Sequence, residues 1–234
     1  MTLQLIGLPV LLLLLFVYVF GGTLGDGLGT GAGGRGEYVD YVTPGILVIG
    51  IAAVAQGTAI SVAMDMTEGI VARFKTMAIA RVSVLTGHVV GAMAQTFLAV
   101  AVVLAVALAV GFRPDAGAME WLVATGVLAL LGLALTWLSV ALGLVSKTVE
   151  GASNLPMPLM FLPFLGSGFV PTDSMPAGVR WFAEYQPFTP VMETLRGLLL
   201  GTEIGGSGMA AVAWLAGITL VSYLWARKLY NRQA

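Results

Sequence analysis

Residues 161–201 read FLPFLGSGFVPTDSMPAGVRWFAEYQPFTPVMETLRGLLLG, and this stretch decides the fold. Its first part is apolar but is broken by Pro163 and Pro171, after Pro156 and Pro158 just upstream. A helix that crosses a bilayer needs about 20 apolar residues, whereas apolar stretches of about 10 to 14 are usually interfacial or re-entrant. Irregular backbone is tolerated at membrane depth only where protein or a water-lined cavity satisfies its polar groups. We therefore expect the broken stretch to line an internal path.

The composition is that of an integral membrane protein. The chain has 234 residues, of which 58% are hydrophobic and 10% are charged, whereas about 25% are charged in soluble domains. A net charge of −1 gives no reason to expect a nucleic-acid partner, and one histidine without any cysteine excludes a Cys/His metal site. No GxxxxGK[ST] motif occurs, so the chain does not hold ATP in a P-loop by itself.

Apolar windows separated by polar segments predict an all-α protein with six transmembrane helices. Each window is long enough to cross the hydrocarbon at about 1.5 Å per residue. The whole chain, 1–234, then forms a single transmembrane domain. Its predicted parts are spans at about 3–22, 42–64, 83–111, 121–145, 152–171 and 206–226, a cytoplasmic loop at 65–81 and an external helical hairpin at 172–204, re-entrant or interfacial, between the last two spans.

Lys and Arg residues predict that both termini lie in the cytoplasm. Loops on the cytoplasmic side of a membrane protein carry an excess of Lys and Arg. With the N-terminus inside, seven such residues fall inside and four outside. The inner set is Arg73, Lys75, Arg81, Lys147, Arg227, Lys228 and Arg232; the outer set is Arg35, Arg113, Arg180 and Arg196.

The 65–81 loop predicts a short amphipathic helix. Asp65 followed by Glu68 resembles a capping box at a helix start. Apolar residues then fall on one face and charged residues elsewhere: Ile70, Phe74 and Met77 against Arg73 and Lys75. Such a helix docks into a groove of a cytoplasmic partner or lies on lipid headgroups, and the sequence leaves both open.

Polar and small residues in the second and third windows predict contacts between helices. Gly87 and Gly91 form a GxxxG pair, which lets helices approach closely. His88 is a functional candidate by its position inside the membrane, but an interhelical hydrogen bond is favoured over a proton relay. The hydroxyl and amide groups of the second window are expected to bond across helices: Gln56, Thr58 and Ser61.

The segments around the broken window predict a path and its outer boundary. Glu150 and Asn154 stand at the inner mouth, where they gate a path or simply reach water. Outside, one short helix begins near Pro176 and places Trp181 in the headgroup belt. A second helix is predicted with Thr189 as its N-cap and Gly201 as its end. This helix carries two opposite charges that are expected to pair: Glu193 and Arg196.

A GSG tripeptide around Ser167, together with one histidine, raises the alternative of a rhomboid-like intramembrane serine protease. That chemistry needs a base within hydrogen-bond reach of the serine. His88 is predicted near the cytoplasmic face and Ser167 near the external face, so much of the ~30 Å hydrocarbon core separates them. The protease is therefore a remote alternative.

Three stretches together resemble a known family over nearly the whole chain. They are YVDYVTPGIL at 38–47, the pattern D-x-x-x-G-x-x-x-R-F-K that begins at Asp65, and the long segment 164–201. Their order resembles the permease subunit of type-2 ABC exporters, of the daunorubicin/doxorubicin-resistance type. Ala78 and Gln186 depart from the usual proline and asparagine of that family. Such permeases also usually begin with a cytoplasmic amphipathic helix, whereas Met1 lies almost at the predicted membrane edge.

The resemblance implies a half-transporter that works with two copies of an ABC ATP-binding subunit and with a second permease, identical or related. ATP and Mg²⁺ would then be bound by the partner subunits, and this chain would hold no cofactor, metal or catalytic residue. The 65–81 helix would be the coupling helix, with contact residues Asp65, Glu68, Gly69, Arg73, Phe74 and Lys75. The path would be bordered by Glu150, Asn154, Pro156, Phe161, Pro163, Gly166, Phe169 and Pro171, and the external hairpin would be marked by Trp181, Pro187, Glu193 and Arg196.

The function implied by this resemblance is ATP-driven export across a bacterial inner membrane. The predicted path has almost no charge, which suits a hydrophobic or amphiphilic drug, antibiotic or natural product surrounded by membrane lipid. A type-2 permease for a lipid or polysaccharide precursor is the closest alternative.

Overall fold

The computed structural model describes residues 2–28, 34–67 and 83–233, and within these ranges the chain is helical and contains no strand. Short turns connect the helices on either side of the broken window. In chain order the elements are α1 (Thr2–Leu15), a π-helical turn (Phe16–Phe20), α2 (Gly21–Asp26), α3 (Arg35–Thr67), α4 (Ser83–Val110), α5 (Ala118–Val145), α6 (Val149–Asn154), α7 (Met157–Phe161), 3₁₀ turns (Leu162–Leu165 and Thr172–Ser174), α8 (Ala177–Tyr185), α9 (Phe188–Leu200) and α10 (Ser207–Gln233).

Five helical stretches of the described chain are long and apolar enough to cross a membrane. They coincide with five of the six predicted spans, and the protein is a multi-pass membrane protein. The sixth predicted span, 152–171, is divided among α6, α7 and a 3₁₀ turn. Prolines interrupt this stretch because they lack the backbone N–H that a continuous helix needs. Because no single long helix covers 152–171, a membrane crossing there stays a prediction. The five stretches are Ile6–Asp26, Arg35–Thr67, Leu85–Val110, Ala118–Val145 and Ser207–Asn231.

Helix α3 is the centre of the bundle. In its most apolar window 83% of the residues are buried, against 22% in each of Leu85–Val110 and Ser207–Asn231. The helix has 33 residues and is therefore about 50 Å long. Helices α1, α4, α5 and α9 pack against it. We name the ends of the bundle by two residues of α3: the Tyr41 end and the Asp65 end.

Glycine permits the closest helix contact of α5 with α3. A Cβ atom added to Gly143 would lie 2.7 Å from the carbonyl oxygen of Ala59 and 3.0 Å from Cβ of Val62. The predicted glycine pair of α4 behaves differently, because a Cβ at Gly87 or Gly91 would meet no atom of the described residues within 4 Å. The expectation that these two glycines bring helices of this chain together is therefore wrong. Their face of α4 is open.

Adding one methyl group at these two kinds of glycine should change stability in opposite directions. Gly143→Ala should lower the free energy of unfolding by about 1–3 kcal/mol, because the methyl group overpacks the α3–α5 contact. Gly126→Ala is the matched control on α5, since its Cβ meets nothing within 4 Å, and alanine favours a helix by up to about 1 kcal/mol over glycine. Thermal unfolding of both variants in one detergent measures the difference. A Gly143→Ala protein as stable as the control would contradict the close packing.

Candidate functional site

The broken segment, residues 149–171, lies alongside α3. At the side toward the Asp65 end, Gln56 donates from Nε2 to the backbone oxygen of Ser153 at 2.8 Å. Toward the Tyr41 end, a Cβ on Gly45 would lie 2.8 Å from the backbone oxygen of Gly168, so the two backbones touch. Gly45 and Gln56 are about 16 Å apart along the helix. Neighbouring protein therefore covers a backbone that is not a continuous helix, as the membrane requires.

An aromatic cluster fixes the far part of the broken segment. Phe164 and Phe169 stack with ring centroids 4.6 Å apart, and Phe16 of the π-helical turn lies 4.5 Å from Phe169. Tyr38 of α3 donates its hydroxyl to the backbone oxygen of Phe169 at 3.4 Å. Phe169 is only 4% exposed. In this conformation its ring holds elements together and does not face an open channel.

One arginine connects α9, α3 and the broken segment. Arg196 donates from Nη2 to the backbone oxygens of Ser167 at 2.8 Å and Tyr41 at 3.2 Å. Its guanidinium carbon lies 3.9 Å from the centroid of the Tyr41 ring, within cation–π range. Burial lowers the pKa of the Arg196 guanidinium, while Tyr41 and Glu193 oppose that shift. We call the set Arg196, Tyr41 and Ser167 the Arg196 clamp.

The predicted ion pair between Glu193 and Arg196 is wrong. Arg196 bonds to backbone carbonyls instead, because its side chain extends from α9 toward α3. Glu193 accepts a hydrogen bond at Oε2 from the hydroxyl of Ser207 at 2.7 Å, at the first residue of α10. The two charges therefore connect α9 to different neighbours.

Polar side chains at the start of α9 bind the broken segment as well. Helix α9 begins at Phe188 with Pro187 as its N-cap, so the predicted cap at Thr189 is wrong. Thr189 instead accepts at Oγ1 from the backbone N–H of Ser167 at 3.3 Å. Gln186 donates from Nε2 to the backbone oxygen of Leu162 at 3.0 Å. The end of α9 is as predicted, because Gly201 has a φ of +70°, which favours glycine.

The predicted path residues fall into two groups. Glu150, Asn154 and Phe161 are exposed. Phe161 is 59% exposed. The other predicted path residues are covered by neighbouring protein. Pro156, Pro163, Gly166 and Phe169 are buried, and Pro171 is half-buried.

The predicted external hairpin contains two helices with different surroundings. Helix α8 presents an exposed aromatic pair, since Trp181 and Tyr185 have ring centroids 5.5 Å apart. Arg180 pairs with Glu184 at 2.7 Å and with Asp173 at 2.5 Å, and the hydrogen bond to Glu184 is the largest cause that raises the Arg180 pKa. Most of α9, by contrast, is buried against other helices. Of the two helices, only α8 has the exposed aromatic side chains expected of an interfacial helix, and its place at the membrane surface stays a prediction.

The Asp65 end carries the one predicted coupling residue that lies in the described part of the chain. Asp65 lies within α3, which continues to Thr67, so the predicted cap at Asp65 is wrong. Its Oδ2 is 2.9 Å from Nε2 of His88 on α4. The interhelical role predicted for His88 is confirmed. The other predicted coupling residues lie outside the described residues: Glu68, Gly69, Arg73, Phe74 and Lys75.

Ser167 and His88 are at opposite ends of the bundle. Arg196 bonds to both Ser167 and Tyr41, which places Ser167 at the level of Tyr41. His88 pairs with Asp65, and Tyr41 and Asp65 are about 36 Å apart along α3. A serine–histidine hydrogen bond is excluded by this separation. Within the described ranges, no group of three or more His, Cys, Asp or Glu residues is suited to hold a metal ion.

These observations define a helical, multi-pass membrane protein in which a broken segment is held between a buried central helix and a short helical pair. The chain belongs to the ABC-2 type transporter family, whose family model matches residues 1–200. It is similar to the daunorubicin resistance ABC transporter permease protein DrrB1 of Streptomyces coeruleorubidus, with 28% identity over 83% of this chain and 67% of that protein. It is also similar to the probable doxorubicin resistance ABC transporter permease protein DrrC of Mycobacterium tuberculosis, with 23% identity over 70% of this chain and 59% of that protein. The chain is thus a membrane protein of the ABC-2 type transporter family that is similar to permease proteins.

Loss of the Arg196 clamp should loosen the broken segment at the Tyr41 end. The chain contains no cysteine, so Ser167→Cys supplies a single thiol at a position that is 3% exposed. Adding Arg196→Met should raise the rate of maleimide labelling in detergent by at least about tenfold, because hydrogen bonds from a charged donor contribute about 1.5–3 kcal/mol each and 1.4 kcal/mol is a tenfold change in population.

Arg180→Met in the same Ser167→Cys protein is the matched control. It removes an exposed arginine whose ion pairs face solvent, and such pairs contribute little. Its labelling rate should equal that of the parent. Equal labelling of the Arg196→Met and Arg180→Met proteins would contradict the role assigned to the clamp.

Proposed function

We propose that this chain is the transmembrane permease subunit of an ATP-driven exporter in a bacterial inner membrane. Its membership in the ABC-2 type transporter family carries this proposal. In this proposal ATP and Mg²⁺ are bound by a separate ATP-binding subunit, present in two copies. A second permease, identical or related, completes the exporter.

Helix α3 supplies a mechanical connection for such an exporter. The predicted coupling segment, 65–81, begins at Asp65, in the last turn of α3, which ends at Thr67. Near its other end α3 carries Tyr41 and Gly45, which contact Arg196 and Gly168. A displacement that the ATP-binding subunit imposes on the coupling segment is therefore transmitted along about 36 Å of continuous helix. It reaches the position where the broken segment is held.

The exposed face of the broken segment favours an apolar or amphiphilic cargo. After the polar pair Glu150 and Asn154, the exposed side chains of the segment as far as Leu165 are apolar, among them Met157, Phe161 and Leu165. A drug, an antibiotic or another hydrophobic natural product fits such a surface, and the two relatives are drug-resistance permeases by name. A lipid precursor fits it for the same reason. A polysaccharide precursor fits less well, because sugars need polar partners along a path.

Affinity purification from native membranes in mild detergent tests the assembly. A P-loop ATPase should accompany this chain in about equal amount. Substrate-stimulated ATP hydrolysis by the purified complex would then identify the cargo. Purification of the chain alone in several detergents would contradict the proposed partner.

Two substitutions in the predicted coupling segment should lower transport without unfolding the protein. Phe74→Ala removes a large apolar contact, and Arg73→Glu reverses a charge that, when paired at an interface, is worth about 2–5 kcal/mol. ATP-dependent efflux should fall by more than about tenfold. Lys147→Glu, in another turn predicted on the same side, is the control. Full efflux by both coupling variants would show that the segment only rests on the membrane surface.

A further inference from the structure

A polar groove opens between α3 and α4 toward the Asp65 end. Its volume is about 360 Å³, within the range of pockets that bind small molecules, about 300–1,000 Å³. Gly91 and Gln95 are exposed at its surface. We call this cavity the polar groove; the described residues that line it are Thr58, Ser61, Gly87, His88, Gly91, Ala92 and Gln95.

The polar groove lies at membrane depth. Helix α4 has 28 residues, a length of about 42 Å, and Gln95 stands near its middle. A hydrocarbon core of about 30 Å centred on this helix places the Gln95 side chain among lipid tails. Gln95 makes no hydrogen bond with any described residue. Because an unpaired amide in an apolar medium is costly, an occupant that bonds to Gln95 is favoured.

The hydroxyl groups of the groove offer acceptors and not donors. Thr58 donates its hydroxyl hydrogen to the backbone oxygen of Val54, and Ser61 donates to that of Gly57, each at 3.0 Å. These bonds lie within α3, contrary to the expected bonding across helices, and they leave both hydroxyl oxygens able to accept. At the Asp65 end Nε2 of His88, which lines the groove, lies 2.9 Å from Oδ2 of Asp65. The groove therefore matches a ligand rich in hydrogen-bond donors.

The floor of the groove is open because two of its residues are glycine. Among the described residues, no atom lies within 4 Å of a Cβ added to Gly87 or Gly91, so a larger side chain at either position would extend into the cavity. A docking helix would need a contact many turns long, whereas the polar lining covers only about two turns of α4, from His88 to Gln95. The size and polarity favour a small ligand over a helix.

We propose that the polar groove binds the polar end of an amphiphile that carries hydrogen-bond donors, a hydroxyl or a protonated amine, while its apolar body lies in the lipid. Gln95, Thr58 and Ser61 bind the polar end. The inference rests on the proposed export function, since it gives the exporter a binding position for cargo taken directly from the membrane. It also places this position next to Asp65, where the predicted coupling segment begins.

Equilibrium binding to the permease in lipid nanodiscs, without any ATP-binding subunit, tests the groove. The probe is a dodecyl chain with dansyl at one end and a primary amine at the other, and the matched ligand control replaces the amine by a methyl ester. Gly91→Leu should raise the dissociation constant of the amine probe at least tenfold, and Gln95→Leu should raise it severalfold. Gly126→Leu, also open to its surroundings, should bind as the parent does. The methyl ester should bind the parent at least tenfold more weakly than the amine.

The proposed binding site would be overturned if both Gly91→Leu and Gln95→Leu bound the amine probe as tightly as the parent does. Equal affinity of the parent for the amine and the methyl ester would overturn it as well. Loss of dimers in Gly91→Leu with unchanged amine affinity would likewise overturn it and identify a second copy as the occupant. Co-purification of an ATPase is measured on the same variants. An ATPase that still accompanies a non-binding Gly91→Leu protein leaves the exporter intact, so the two proposals fail separately.

Discussion

A partly buried cation at one end of the bundle is the contact on which the arrangement of the broken segment depends. The side chain of Arg196 is partly buried, and a charge that loses water contact needs hydrogen bonds to replace that water. Two backbone oxygens accept from Nη2 and the guanidinium lies over the face of Tyr41, while Nε is buried without a hydrogen-bond partner among the described residues. The planar guanidinium can bond and stack at the same time, which an ammonium group cannot do in this geometry. The contact therefore requires α3, α9 and the broken segment together.

The other contacts of the broken segment have the same physical cause: backbone N–H and C=O groups without hydrogen-bond partners are costly in a membrane. Prolines deny this segment a continuous helix, so hydrogen bonds come from neighbours: Gln56 of α3 reaches Ser153, and Gln186 reaches Leu162. At Gly45 the backbone of α3 touches the backbone of Gly168 directly, with no side chain between them. A segment held by single side chains can move when those few contacts change, whereas a continuous helix would resist.

Features set by local sequence were predictable, and features set by contacts between distant residues were not. Apolar windows gave five of the spans, and the helix end at Gly201 followed from glycine's conformational freedom. The Arg196 clamp joins residues far apart in the chain, so the sequence suggested only the nearest opposite charge, Glu193. The pattern at Asp65 predicted a helix cap because capping patterns depend only on residues close in sequence. In the structure α3 continues past Asp65 to Thr67, and Asp65 pairs with His88 of α4. The open face at Gly91 was likewise hidden, because a GxxxG pattern does not say what faces it.

The near-complete burial of α3 also decides how the protein meets bilayers of different thickness. At about 50 Å, α3 is longer than a hydrocarbon core of about 30 Å, but its length need not match the lipid, because protein surrounds most of it. Helices α4 and α10 face the lipid and must tilt when the bilayer thins or thickens. Hydrophobic mismatch therefore acts on the outer helices α4 and α10 and not on the central helix α3. We therefore expect bilayer thickness to act on the angle between α4 and α3, and with it on the width of the opening between them.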